Sequence, residues 1–425
     1  MKLKEKFASQ IPGLRDELKA IAAKHANDVI SEVTVAQAYG GMRGIKGMIC
    51  DTSYVDPEKG LIIRDYPIGD LTEKLPEEIL CLLMLGELPS DEMVADLQSE
   101  MNKRAKVPDY VWDVMRAMPS DSHPMAMLDT GILVMERESV FRKKYDEGIN
   151  KTEYWDPSFE DMINLLSKLT GLAAGMYRIR FGHGDPIPPK DNLDWGANYA
   201  HMLGIKDPTG NFANLMRLYL TLHCDHEGGN VSANTTHTVG SALSDCYYAL
   251  SAGLNGLAGP LHGLANQECL RFVLEINKKY GGSPTKEQLS EYAWDILNSG
   301  RVIPGYGHAV LRATDPRFTA FHAFGKKVCP DDPTVKTVSL MFETVPGILQ
   351  EHGKAKNPWP NVDAGSGSLL YHFGMTEFSY YTVLFGVSRA MGVLSNLVIN
   401  RALGTPITRP KSVTTPWIKK AVGMA

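Results

Sequence analysis

Cysteine is scarce in this sequence and poorly organised. Cys50, Cys81, Cys224, Cys246, Cys269 and Cys329 form no C-x-x-C pair and no regular spacing. That excludes a disulfide scaffold or a thiolate zinc module and reads as scattered, reduced thiols. An excess of charge of one sign is also lacking. The 44 basic residues stand against 49 acidic, a net charge of -5, which argues against a general nucleic-acid or membrane-surface binder. The longest apolar stretch, Tyr380 to Ile399, is broken by Arg389 and Asn396 and is too polar to span a bilayer. Internal repeats, low-complexity linkers and strand–helix alternation are missing, which sets aside solenoids, strung domains and parallel α/β sheets. The N-terminus shows neither a secretory apolar segment nor an arginine-rich, acid-poor import leader. The sequons at Asn150, Asn230 and Asn234 are therefore read as chance. These features predict a bacterial cytoplasmic protein, with a mitochondrial matrix protein trimmed of its leader as the alternative.

What is present is an ordinary globular composition, 44% hydrophobic and 22% charged, with a mean hydropathy of -0.18. At about 150 residues per domain the chain holds two or three domains. Helical periodicity dominates. Leu14, Leu18 and Ile21 predict one face of a first helix. Pro76 opens a second that Gly86 stops, Ser90 caps another carrying Met93, Leu97 and Met101, and Asp161 to Arg180 is long and apolar. Thr285-Lys-Glu-Gln is a capping-box start. Gly253, Gly256 and Gly259 would let one helix approach another closely. The clearest strand signal is a hairpin between Gly47 and Tyr66, with Met48-Ile-Cys50 and Leu61-Ile-Ile63 flanking an Asp56-Pro-Glu-Lys-Gly60 turn. The prediction is a mainly α protein with a minor β-hairpin.

The chemistry concentrates in the C-terminal half. His223 and His226, three apart, would share a face if helical. With Cys224 and Asp225 they admit a transition-metal site, a core or capping pair, or a ligand-binding histidine. No H-E-x-x-H motif or second thiol cluster supports the metal, and Glu227-Gly-Gly predicts a helix stop that would turn His226 toward a cleft. His262, after Gly259-Pro260, reads as a helix start whose dipole keeps the imidazole neutral and able to donate to a forming enolate. The competing reading is a loop histidine bonded to backbone. Between Arg301 and Arg317, glycines flank Tyr306, and His308, Arg312 and Arg317 follow; guanidinium forks match carboxylates and phosphates. Lys354 and Lys356 precede a Pro-Trp-Pro turn and the lone carboxylate of Asp363. Arg389 lies in an apolar helix with no acidic residue at i±3 or i±4, which points to a ligand carboxylate or a distant partner.

Taken in order, His262-Gly-Leu-Ala-Asn, Pro304-Gly-Tyr-Gly-His308, Asp315-Pro-Arg317, Lys356-Asn-Pro-Trp-Pro-Asn-Val-Asp363, Gly386-Val-Ser-Arg389 and Arg409-Pro-Lys-Ser resemble citrate synthase, in its eukaryotic-type, short dimeric branch. The resemblance begins at Tyr39-Gly-Gly-Met-Arg-Gly-Ile-Lys-Gly47 and covers nearly the whole chain. It implies a two-domain helical fold, with a large domain of residues 1–262 and 374–425 and a small domain of 263–373. It implies condensation of acetyl-CoA with oxaloacetate and hydrolysis of citryl-CoA, by an obligatory homodimer with shared active sites. No metal or redox cofactor is implied, and neither nucleic acid nor membrane is a partner. By the same resemblance Asp363 is the base, His262 stabilises the enolate and His308 polarises the ketone. His226, Arg317 and Arg389 hold oxaloacetate, with Arg409 arriving from the other subunit. The coenzyme A contacts would be Val302, Pro304, Gly305, Tyr306, Gly307, Arg312, Lys354, Lys356 and Asn361, with Arg43 from the partner and Arg178 a looser match. Two positions depart from the family pattern: Gly365 and Asn234 each replace an expected histidine. Gly365 raises the possibility of an enlarged acyl pocket. The rival readings are a 2-methylcitrate synthase using propionyl-CoA and a non-catalytic structural protein on the same fold.

Overall fold

The computed structural model describes residues 1–308 and 310–424. Helices make most of it, with one three-stranded sheet among the described residues. The helices Trp155–Arg180 and Tyr381–Leu403 pack on each other and are buried along most of their length. Around them lie Pro124–Met135, Trp195–Leu203, Asn211–Leu222, Val231–Ser241 and Cys246–Leu257. A helix surrounded on all sides must be apolar all round, which explains the long hydrophobic run near the C-terminus. Despite Arg389 and Asn396, the segment Phe378–Leu403 reaches the length and hydropathy of a membrane span, which corrects the expectation that it is too polar; its most apolar window is 89% buried inside the protein.

The predicted helix starts are present. Ser90 Oγ accepts the Met93 amide, Thr285 forms a reciprocal box with Gln288, and Pro76 opens a helix that ends at left-handed Gly86. The close approach predicted from the glycines is that of Cys246–Leu257 on Val231–Ser241. A Cβ on Gly253 would lie 2.0 Å from Thr236 Oγ1. A second hydrophobic core is drawn wholly from residues between Cys269 and Ala364 and includes Phe272, Ile276, Leu289, Ile303, Phe318, Met341 and Val345.

Two predicted elements are corrected. The first helix runs Lys2–His25, but its buried face is Leu3, Phe7 and Ile11; Leu18 and Ile21 are 43% and 54% exposed. Only the first half of the helix rests on the body of the protein. The hairpin pairs Ser53–Asp56 with Gly60–Ile63, and Tyr66–Pro67 adds a short third strand. Asp56 Oδ1 accepts the Glu58 and Lys59 amides at 2.9 and 2.8 Å, a tight turn that sets Asp56 opposite Gly60. That register leaves Met48–Cys50 beyond the paired residues, so it is not a strand.

Candidate active site

The arms of the site come from both cores. His226 follows the helix Asn211–Leu222, and His262 closes the turn after Cys246–Leu257. His308 and Arg317 flank the N-terminus of Pro316–Val328, Asp363 opens Asp363–His372, and Arg389 lies mid-way along Tyr381–Leu403.

The helical pairing of His223 with His226 is overturned, because the helix ends at Leu222 and the chain turns away. His223 is buried, stacked on Tyr219 with ring centroids 4.2 Å apart. Its Nδ1 lies 3.1 Å from the Tyr219 carbonyl oxygen, to which only an N–H can donate. Burial and then Arg317 push its pKa down to about 3, so it is a neutral core histidine. No group of three potential metal ligands occurs among the described residues. His226 points elsewhere: its ring centroid is 5.7 Å from that of His308.

The tautomers of two histidines follow from backbone amides, which can only donate. Nδ1 of His308 accepts from the Val310 and Leu311 N–H groups, both at 3.0 Å, so its proton is on Nε2. His262 Nε2 accepts from the Ser232 N–H at 3.4 Å and sits 3.0 Å from Ser232 Oγ, which leaves its proton on Nδ1. The expected helix start at His262 is therefore displaced. The helix that follows is Ala265–Tyr280, and the dipole that faces the imidazole belongs to the N-terminus of Val231–Ser241. Burial, followed by Arg389, lowers His262 to about 4. Burial and then Arg317 lower His226 and His308 as well. All three are neutral donors or acceptors at neutral pH.

Asp363 is driven the other way. Burial raises its carboxyl to about 6, with Arg317 opposing and Asp315 adding to the rise. Its position is fixed by two loops laced together. Gly307 N–H donates to Trp359 O at 3.0 Å, Asn361 N–H to Gly305 O at 2.9 Å, and Asn361 Nδ2 to Gly307 O at 3.0 Å. Gly305 has φ 80°, and a Cβ there would sit 2.9 Å from Ala364 Cα, so this lacing needs glycine.

The two buried arginines differ. Arg317 forms a bidentate pair with Asp315, Nε to Oδ1 at 3.0 Å and Nη2 to Oδ2 at 2.7 Å. Burial alone would raise Asp315, but Arg317 holds it below the usual carboxylate range. Arg389 has no carboxylate within ion-pair distance among the described residues. Nε donates to His223 O at 3.3 Å, and Nη1 to Asn230 Oδ1 at 3.2 Å and Ser232 Oγ at 3.3 Å. Its guanidinium lies 4.7 Å from the Phe385 ring centroid. Burial lowers its pKa to about 10, and a buried cation so partnered is open to an anionic ligand.

The structure thus gathers His226, His262, His308, Arg317, Asp363 and Arg389. Arg409 is exposed on the segment beyond Tyr381–Leu403, and Arg43, Lys354 and Lys356 lie on the surface. Tyr306 bridges to Pro360, Val302 is exposed, and Arg312 donates from Nη1 to Leu311 O. Arg178 donates to the carbonyls of Asp185, His183 and Leu203. Gly365 faces Phe318, whose ring lies 3.4 Å from where a Cβ would be, an ordinary contact distance. Asn234 is exposed and accepts from Thr238 Oγ1.

Ser232 and Asn230, which the sequence reading did not assign to the site, link His262 to Arg389. The signal for Asn230 was present: it caps Val231–Ser241, its Oδ1 accepting the Ala233 amide at 3.1 Å, where the sequon had seemed accidental.

A helical protein that sets the raised carboxyl of Asp363 among neutral imidazoles and two buried guanidiniums is built to handle an enolisable acyl group beside a dianion. Comparison with known proteins agrees. The family model for the citrate synthase C-terminal domain matches residues 41–411. The mitochondrial citrate synthase of Saccharomyces cerevisiae is 49% identical over 430 residues, 99% of this chain and 89% of the yeast protein. The mitochondrial 2-methylcitrate synthase of Yarrowia lipolytica is 50% identical over 433 residues, 99% of this chain and 93% of that protein. The crystal structure of citrate synthase from Pyrobaculum aerophilum superposes with a TM-score of 0.79 at 28% identity, covering 88% of this chain and 92% of that one. The chain belongs to the citrate synthase family. The expected bacterial cytoplasmic location is overturned by these relatives, which are mitochondrial proteins matched over nearly the full chain.

Proposed function

We propose that this protein is an acyltransferase that condenses acetyl-CoA with oxaloacetate and hydrolyses citryl-CoA to citrate and free coenzyme A. The observation that carries the reading is the pairing of Asp363, raised to about 6, with imidazoles whose tautomers are fixed by backbone amides. Asp363 takes a methyl proton from the thioester. A carboxylate is far too weak a base for this alone, so the enolate oxygen must be stabilised as charge develops, and His262 Nδ1–H is the donor. The enolate carbon attacks the oxaloacetate ketone while His308 Nε2–H donates to its oxygen. Water then cleaves the thioester of citryl-CoA and releases the thiol. As written, no step calls on a metal or redox cofactor, and coenzyme A enters as a substrate.

His226, Arg317 and Arg389 bind the oxaloacetate carboxylates. Arg409 reaches the site of a second copy in a homodimer, a reading supported by its exposure and by that of Trp417 eight residues on. Coenzyme A lies along Val302, Pro304, Gly305, Tyr306 and Gly307, with Arg312, Lys354, Lys356 and Asn361, and Arg43 of the second copy. The separate core between Cys269 and Ala364 supports a small domain of 263–373 that closes on the remainder. The names of the relatives support the mitochondrial matrix as its location.

The test is thiol release by the pure protein. Release that requires both oxaloacetate and acetyl-CoA is expected, and none with both present overturns the reading. The Yarrowia relative keeps propionyl-CoA in view as a second acyl donor. A larger kcat/KM for propionyl-CoA would make the protein a 2-methylcitrate synthase.

A further inference from the structure

The loop that carries His226 is held from the side of the hairpin by a carboxylate with no part in the scheme above. Asp225 is 2% exposed. Its Oδ2 accepts from Thr52 Oγ1 at 2.6 Å and from Ser53 Oγ at 2.8 Å. Ser53 Oγ in turn accepts the Glu227 amide at 2.8 Å. Both neighbours of His226 therefore end on one hydroxyl, that of Ser53 at the start of the hairpin. Glu227 is left with φ 55°, a left-handed conformation that a non-glycine residue adopts only when its surroundings impose it.

The same carboxylate meets the opposite wall. A Cβ on Gly392 would lie 2.5 Å from Asp225 Oδ1, so only glycine admits the carboxylate there. The Gly392 amide donates to Cys224 O at 3.0 Å, Arg389 Nε to His223 O at 3.3 Å, and Ser388 Oγ to Leu220 O at 2.6 Å. The chain from Leu220 to Glu227 is thus registered on the helix that carries Arg389 and on the hairpin at once. Asp225 is also the carboxylate whose charge bears most on Arg389.

We infer that Asp225, acting through Ser53, is a positioning residue for oxaloacetate binding: it fixes the loop that aims His226 and seats that loop beside Arg389. It touches no substrate itself. The inference rests on the proposed binding of oxaloacetate by His226 and Arg389.

Ser53→Ala tests it, since it removes the shared hydroxyl and leaves the carboxylate in place. Hydrogen bonds to a charged group are strong enough that the KM for oxaloacetate should rise about tenfold. The KM for acetyl-CoA should stay within about twofold, because the Ser53 hydroxyl bonds Asp225 and the Glu227 amide and neither His262 nor Asp363. Ser53→Thr, which keeps the hydroxyl and suits a strand, should restore the wild-type value. Asp225→Asn gives a second measurement, with the oxaloacetate KM again rising more than that for acetyl-CoA. An unchanged oxaloacetate KM in Ser53→Ala, or equal shifts in both KM values with no rescue by Ser53→Thr, overturns the inference. If wild-type protein releases no thiol with both substrates, the functional reading fails instead, and the two failures are told apart by that control.

Discussion

Asn361 acts as a strut for Asp363. Its Oδ1 accepts the Asp363 amide at 3.0 Å, while its Nδ2 donates to Gly307 O at 3.0 Å. One side chain therefore ties the carboxylate to the loop that ends in His308. Removing it should misplace the base more than it weakens the fold, because each neutral hydrogen bond contributes only about 1 kcal/mol, whereas a small misplacement of a reacting group can cost about a hundredfold in rate. Asn361→Ala is expected to lower kcat at least tenfold with a modest fall in Tm. Wild-type kcat in this variant would show that Asp363 is held by other means.

The raised pKa of Asp363 makes two pH statements. Only the ionised carboxylate can take a proton, so kcat/KM for acetyl-CoA should rise with pH through about 6 and level off above it. Stability runs in the opposite sense. The folded pKa lies above the ordinary aspartate value of 3.8, so the folded state binds more protons in that interval and loses stability as pH climbs from about 4 to 6. Asp363→Asn should then abolish most turnover, by about 10²–10⁴-fold, while raising stability at pH 7.5 by about 1–3 kcal/mol. The gain should vanish near pH 3.5. Thermal melts of both proteins across this range check the sign, and a variant less stable than wild type at pH 7.5 contradicts it.

These expectations differ in how far the sequence alone could reach them. Helix starts were legible because their signals are local: Ser90 and Thr285 satisfy amides three residues on, and Pro76 needs no partner. The chemical residues were legible through family motifs, yet their tautomers were not. Those depend on Ser232 for His262 and on Val310 and Leu311 for His308; the first contact joins residues thirty apart in the chain. The tie from Asp225 to Ser53 spans 172 residues and leaves no periodicity behind. The exposed half of the first helix misled for a different reason. Leu18 and Ile21 repeat as a core face would, and only tertiary placement decides what an apolar face is pressed against.

Glycines offer a sharper test of packing, because two of them predict opposite signs. A Cβ on Gly253 would lie 2.0 Å from Thr236 Oγ1 and 2.8 Å from the Ser232 carbonyl oxygen. Gly253→Ala should cost about 1–3 kcal/mol by overpacking, and it should lower kcat as well, since the displaced Ser232 faces His262. Gly347, inside the helix Pro333–His352, has nothing within 4 Å of an added Cβ. Gly347→Ala should stabilise by about 0.5–1 kcal/mol through helix propensity and leave kcat unchanged. Equal effects at the two positions would refute the close approach of Cys246–Leu257 on Val231–Ser241.

Arg409 decides whether sites are shared between subunits. It is exposed on its own chain, whereas Arg317 and Arg389 are buried. Arg409→Ala and Asp363→Asn should each be nearly inactive alone. In a mixed dimer, one site would combine both substitutions, and the other would draw an intact Asp363 from one subunit and an intact Arg409 from its partner. Random mixing makes half the dimers mixed, with one working site of two, so co-refolded variants should recover about a quarter of wild-type activity. If Arg409 instead served its own chain, every site in the mixture would carry one substitution and no activity would return. The recovered fraction, measured against mixing ratio, separates the two arrangements without any need to see the interface.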